Sequence, residues 1–305
     1  STLMRSSAAS DVYKRQAANS YVISNGTTAA KRSVISNEVS TDTSVSWPQA
    51  PDITCESAIL VDADTGSILY EKDAHRKCYP ASTTKILTGL LTIENCNLSD
   101  TLTFSTAAAN SINPIEDANL GMKAGEELTV EQALYALLLY SANEVAYALA
   151  EKVAGSIDAF VDMMNEKAKE LGMENTHFMN TNGLDEDDHY SSARDVAIMS
   201  RELMKHETIF NYTSIWMDTL RGGKFQLANT NKLIRFYDGA NGLKTGSTSK
   251  ALCCLSAAAK RNDMQLIAVV LGAPTSAERF ASAKSLLDYG FANYAVNTQI
   301  TAGDE

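Results

Sequence analysis

The 305-residue chain is 45% hydrophobic and 21% charged, enough apolar matter to bury a core and build one large domain or a domain with a lobe. Its formal net charge of -11, without a basic stripe, argues against nucleic acid or an anionic membrane surface as a partner, and no apolar run is long enough to span a bilayer. Five cysteines without C-x-x-C spacing and four scattered histidines without H-E-x-x-H spacing indicate neither a zinc site, a disulfide framework nor a Ser-His-Asp triad, so no metal or cofactor is expected.

Residues 1–50 are rich in Ser, Thr, Asn and Ala with little apolar periodicity, the composition of a linker or disordered tail. The first packed element is expected at 58–70, two apolar strands around an Asp-Thr-Gly turn. A Cys55–Cys78 bridge is left open by the cysteine spacing. After Pro80 comes Ser82-Thr83-Thr84-Lys85, heading an apolar run. Residues three apart in a helix share a face, so the Lys85 amine can reach the Ser82 hydroxyl and, if neutral, take its proton. Pro80 suits a helix entry, and the partial positive charge of a first turn would steady an oxyanion forming beside Ser82. An isolated S-x-x-K match arises by chance roughly once in a chain of this size. A second copy, Ser247-Thr248-Ser249-Lys250, reads as an ordinary surface segment.

Ser111-Ile112-Asn113 precedes Pro114 among polar residues and reads as loop. The apolar helical pattern of 130–140 is interrupted by Ser141-Ala142-Asn143 and resumes at 145–150. Polar groups within such a buried region are either matched in the core or face a cleft. Farther on, the turn-like 238–242 leads into Lys244-Thr245-Gly246, and apolar runs at 251–255 and 264–271 flank a polar turn, an antiparallel hairpin. Lys244 would then project from a strand edge to bind a carboxylate, while Gly246 lets a substrate backbone pair closely. A last helix is expected over 277–289.

In this order the three motifs resemble those of the penicillin-recognising serine enzymes, and the chain resembles the D-alanyl-D-alanine carboxypeptidases among the low-molecular-mass penicillin-binding proteins. The resemblance runs from about Ile53 to Tyr294 and includes Gly125-Glu126-Glu127-Leu128-Thr129-Val130, Leu171-Gly172-Met173, and Asn182-Gly183-Leu184-Asp185 with His189-Tyr190-Ser191. It implies an α+β, β-lactamase/transpeptidase-like fold: an antiparallel sheet flanked by helices, an all-helical lobe supplied by the stretch between Ser82 and Lys244, and a cleft at their junction. It also implies removal of the terminal D-alanine from peptidoglycan stem peptides through an acyl-enzyme on Ser82. Lys85 is then the base, its pKa pushed down by burial and by Lys244, and Ser141 relays the proton. Asn143 holds the substrate amide, Lys244 and Thr245 bind its carboxylate beside Gly246, and the backbone N–H of Ser247 completes an oxyanion hole with that of Ser82. Arg279 is either a further carboxylate ligand or an exposed helix residue paired with Glu278 or solvent.

The same resemblance implies peptidoglycan stem peptides as substrates, β-lactams as covalent inhibitors and an extracytoplasmic site in the cell envelope, without a membrane anchor in these residues. Four alternatives stay open: a class A-like β-lactamase, a D,D-endopeptidase, a transpeptidase, or a non-catalytic wall-binding module on the same scaffold. Asp11-Val12-Tyr13-Lys14-Arg15-Gln16 resembles the translation of a sequencing adaptor, so 1–50 is read as a disordered or non-native leader. Residues 51–294 are read as the catalytic domain, and 295–305 as the start of a linker to a further C-terminal domain.

Overall fold

Every residue of strand Ser57–Asp62 and of strand Met264–Ala273 is buried, which requires both faces of their sheet to be covered. A computed structural model of the chain describes residues 21–25, 49–220, 223 and 225–298. Its strands, in chain order, are β1 (Tyr21–Asn25), β2 (Ser57–Asp62), β3 (Ile68–Lys72), β4 (Thr101–Thr103), β5 (Glu127–Thr129), β6 (Met217–Leu220), β7 (Phe225–Ala228), β8 (Ala240–Thr248), β9 (Leu252–Arg261), β10 (Met264–Ala273) and β11 (Tyr294–Thr298). The longer helices are α1 (Lys85–Asn95), α2 (Val130–Leu138), α3 (Asn143–Ala154), α4 (Ile157–Glu170), α5 (Ala193–Met204) and α6 (Ser276–Asn293).

The main sheet has the order β3-β2-β10-β9-β8, antiparallel throughout, which leaves β8 at one edge. Side chains alternate across it with the period of two that a strand imposes. Ile59, Val61, Ile267, Val269 and Leu271 enter a core shared with the helices between α1 and α5. Ala58, Leu60, Leu266, Ala268 and Val270 enter a second core against α6, with Leu286 and Leu287. The expected α+β architecture, a helix-flanked antiparallel sheet with a helical lobe, is the observed one.

Inside the lobe, α1 packs against α2, α3, α4 and α5, with Ile86, Leu87, Leu90 and Leu91 turned inward. A reciprocal capping box fixes the start of α2: Gln132 N donates to Thr129 Oγ1 at 3.1 Å, and Thr129 N donates to Gln132 Oε1 at 3.0 Å.

The structure adds to the sequence reading at the ends and at the cysteines. Tyr21–Asn25, assigned to a structureless leader, forms β1 and pairs antiparallel with β11, register Tyr21↔Thr298 to Asn25↔Tyr294. The short β-branched and aromatic run Tyr21-Val22-Ile23 has strand propensity that the polar surroundings mask. The pairing also carries regular structure past residue 294; residues 11–16 lie outside the described residues. The Cys55–Cys78 bridge is not formed, both thiols being free and buried. Among the described residues no helix is long and apolar enough to cross a membrane.

Candidate active site

Ser82 lies in a 3₁₀ turn, Ala81–Thr84, that runs directly into α1. In a 3₁₀ turn residues i and i+3 eclipse, a tighter superposition than the α-helical turn expected from the sequence, and Lys85 Nζ stands 2.9 Å from Ser82 Oγ. Ala81 has φ +50, an unfavourable conformation for a residue with a Cβ, held here by surrounding contacts. One such contact is Gly183, whose own φ is +94 and whose Cβ, if present, would meet Ala81 O at 1.8 Å. Another is Gly246, where a Cβ would lie 2.6 Å from Ser82 N and 3.0 Å from Ala81 Cβ. The glycine of the K-T-G triplet is therefore demanded by the Ser82 turn packed on β8, a constraint that sequence reading did not reveal.

Lys85 is fully buried. Its Nζ also lies 3.0 Å from Ser141 Oγ, 2.6 Å from Asn143 Oδ1 and 3.0 Å from the carbonyl oxygen of Asn182. Ser141 and Asn143 meet it because the helical pattern breaks between α2 and α3, with Ser141 at φ +66. Two of these oxygens, Asn143 Oδ1 and Asn182 O, only accept, and a neutral amine satisfies both with its two N–H groups. Its single lone pair is then left to accept from one hydroxyl at a time, that of Ser82 or that of Ser141. Burial lowers the Lys85 pKa to about 7, against the pull of Asp117 and Glu144, which favour the charged form. The repulsion expected from Lys244 bears on Lys244 itself: burial first, then Lys85 and Arg279, hold its pKa well below the usual lysine range.

Lys244, Thr245, Gly246 and Ser247 follow one another on the edge strand β8, beside the Ser82 turn. Lys244 is buried and donates to Thr245 O at 2.7 Å; Ser247 is exposed. The Thr245 and Thr230 hydroxyls are 2.6 Å apart, and Thr230 N donates to Leu139 O at the end of α2, tying the strand to the Ser141 side. Arg279 is 8% exposed, not the exposed helix arginine that was the alternative, and Glu278 bonds Thr54 and Thr275 instead. Its Nη1 donates to Gly246 O at 3.2 Å and Cys254 O at 3.4 Å, gripping the β8–β9 pair where these two residues are in register.

The second S-x-x-K ends β8 and enters a turn in which Lys250 is exposed; the second S-x-N lies in a turn before Pro114. Four contributors were missed from sequence: the Asn182 carbonyl, Gly183, Thr230 and Asp185. Asp185 accepts from Thr248 Oγ1 at 2.7 Å and fastens the 180–187 loop to the end of β8. Asn182-Gly183 is a visible turn signal, but a carbonyl aimed at Lys85 leaves no mark on residue type. Beneath the turn, buried His189 accepts Met179 N at Nδ1, so Nε2 carries the hydrogen donated to Thr84 Oγ1; burial lowers its pKa to about 4.

The fold is the transpeptidase-like fold of the penicillin-binding DD-peptidases. The chain belongs to the D-alanyl-D-alanine carboxypeptidase family, whose profile matches residues 44–275. It is 44% identical over 247 residues to D-alanyl-D-alanine carboxypeptidase DacF of Bacillus subtilis, covering 78% of this chain and 62% of that protein. It is 34% identical over 271 residues to DacA of Escherichia coli, covering 85% and 66%. The chain thus spans a little under two thirds of the length of these relatives. Among solved structures, the Streptomyces K15 DD-transpeptidase superposes with a TM-score of 0.76 at 31% identity, covering 80% of this chain and 100% of that one. Penicillin binding protein 5 from Haemophilus influenzae superposes with a TM-score of 0.75 at 31% identity, covering 81% and 73%.

Proposed function

We propose that the chain is a serine D-Ala-D-Ala carboxypeptidase acting on peptidoglycan stem peptides in the cell envelope. The observation that carries this reading is the fully buried Lys85 amine within 3.0 Å of Ser82 Oγ, Ser141 Oγ, Asn143 Oδ1 and Asn182 O. Neutral Lys85 takes the Ser82 proton as Oγ attacks the carbonyl carbon of the penultimate D-alanine. The oxyanion is met by the backbone N–H groups of Ser82 and Ser247. As the peptide C–N bond breaks, the proton passes from Lys85 through Ser141 to the leaving amine, and the terminal D-alanine departs. Water then attacks the ester carbonyl, giving up a proton to the neutral amine; as the ester C–O bond breaks, Lys85 returns that proton to Ser82 Oγ, and the shortened peptide leaves as its carboxylate.

Asn143 holds the substrate amide while it accepts from Lys85. Lys244, Thr245 and Arg279 form the carboxylate end of the cleft. Arg279, and Lys85 whenever it is protonated, oppose a charge on Lys244, a repulsion that an arriving anion relieves. The same cleft accepts a β-lactam, whose opened ring stays on Ser82 as an ester.

The test is intact-mass measurement after brief exposure to penicillin, with peptide mapping and D-alanine assay on a D-Ala-D-Ala peptide. One adduct on Ser82, absent in Ser82→Ala, together with D-alanine release, is the expected result; cleavage undiminished in Ser82→Ala refutes the reading. Likeness to the Streptomyces DD-transpeptidase favours a second reading, transfer of the same acyl group to an amine. Product analysis separates them: hydrolysis yields one D-alanine and no new cross-link. Rapid turnover of penicillin would instead mark a β-lactamase.

A further inference from the structure

Glu144 is a buried carboxylate with no part in the reaction described above. It directly follows Asn143 in the first turn of α3, where the helix dipole favours a negative charge. Its partners are backbone N–H groups. Leu120 N lies 3.1 Å from each carboxylate oxygen, while Gly121 N donates at 2.9 Å to Asn119 Oδ1; burial raises the Glu144 pKa, opposed by the nearby N–H groups of Leu120, Met122 and Gly121. Gly121 has φ +65, yet a Cβ there would touch nothing, so glycine is used for the bend itself, which follows the Leu120 N–H held by Glu144. The clasped segment returns a bond to the site, because Ala118 O accepts from Asn143 N at 2.8 Å.

We infer that Glu144 is a positioning residue: by clasping residues 118–122 against the head of α3 it fixes Asn143, and through Asn143 Oδ1 it orients the Lys85 amine toward Ser82. This rests on the reading of Lys85 as the base. The charge has a second effect by the same geometry. Lys85 and Arg279 on α6 oppose protonation of Lys244 on β8, whereas Asp117 in the clasped loop and Glu144 on α3 favour protonation of Lys85. His189, below Thr84, is neutral at physiological pH. Glu144 therefore helps to set the pH at which the amine discharges.

The experiment compares the parent with Glu144→Gln and Glu144→Asp in D-alanine release and β-lactam acylation, from acid to alkaline pH, alongside melting temperature. Both variants should lose about ten- to a hundredfold in plateau kcat, with KM less affected, because neither offers two acceptor oxygens at the original reach. The acid limb of kcat/KM should move to lower pH in Glu144→Gln, which lacks the charge, and stay with the parent in Glu144→Asp, which keeps it. A purely structural role would lower the melting temperature without moving that limb. A parental plateau in either variant, or a Glu144→Gln limb that coincides with the parent's, overturns the inference. Should Glu144→Gln fail to fold, a parental plateau in Glu144→Asp still overturns it and a reduced one supports it. A parent that neither acylates nor releases D-alanine refutes the carboxypeptidase reading and this inference with it; an active parent with unaffected variants refutes only the role of Glu144.

Discussion

Four oxygens surround the Lys85 amine at 2.6 to 3.0 Å, and it is the balance of acceptors and donors among them that makes the group a base. With a pKa lowered to about 7 by burial, the amine is cationic and inert below that value and neutral above it. Acylation by a β-lactam should accordingly rise with pH through about 7, which a stopped-flow pH profile measures. Replacing Lys85 with Met, similar in length but without a base, should cut acylation on the order of 10²–10⁴-fold while circular dichroism stays that of the parent. Lys244 makes a different demand. Among the described residues its amine bonds the Thr245 carbonyl at 2.7 Å, which leaves N–H groups for a substrate carboxylate, so Lys244→Gln should weaken a peptide with a free C-terminus by about ten- to a hundredfold. An amidated peptide should be little affected, and the ratio of KM values for the two is the measurement. The identities of these residues were legible in the sequence because S-x-x-K, S-x-N and K-T-G each pair particular functional groups at a fixed spacing.

Three elements from distant parts of the chain meet at the Ser82 turn: the turn itself, strand β8 and the 180–187 loop. Two glycines make the meeting possible. Gly183→Ala would place a Cβ 1.8 Å from the Ala81 carbonyl, a backbone atom that cannot step aside, at a φ of +94. The variant should lose roughly 1–3 kcal/mol in urea unfolding, and acylation of its folded fraction should slow, since the Asn182 carbonyl next to it moves off Lys85. Sequence reasoning recognised the hairpin of β9 and β10 and the break between α2 and α3 from apolar periodicity alone. It did not reveal that Gly246 packs against the Ser82 turn, since periodicity identifies which face of a strand is buried but not which backbone presses on it. Thr230 and Asp185 were missed for a related reason: a single hydroxyl or carboxylate in a polar loop looks the same whether it meets solvent or the end of β8.

The whole molecule divides stability from chemistry. The core between the sheet and α6 lies on the sheet face opposite the helical lobe, and Leu286 is completely buried in it. Leu286→Ala should cost about 2–5 kcal/mol in denaturant unfolding. Its kcat/KM for D-alanine release should stay within about twofold of the parent at temperatures where the variant is folded, since the Lys85 cluster belongs to the other core. At this scale the ends departed most from expectation. The β1–β11 pairing joins residues some 270 positions apart, and short segments of ordinary strand propensity carry no record of a partner so distant.

The sequence by itself determined the family, the α+β class and the identities of the serine, lysines and asparagine, because those depend on residue type, spacing and period. Only the tertiary structure decided that Lys85 is fully buried beside Asn182 O, that Gly246 serves the Ser82 turn, and that Glu144 clasps a loop. Burial and non-local contacts arise when segments far apart in the chain close on one another, and that closure alone turns an ordinary lysine into a neutral amine facing a hydroxyl.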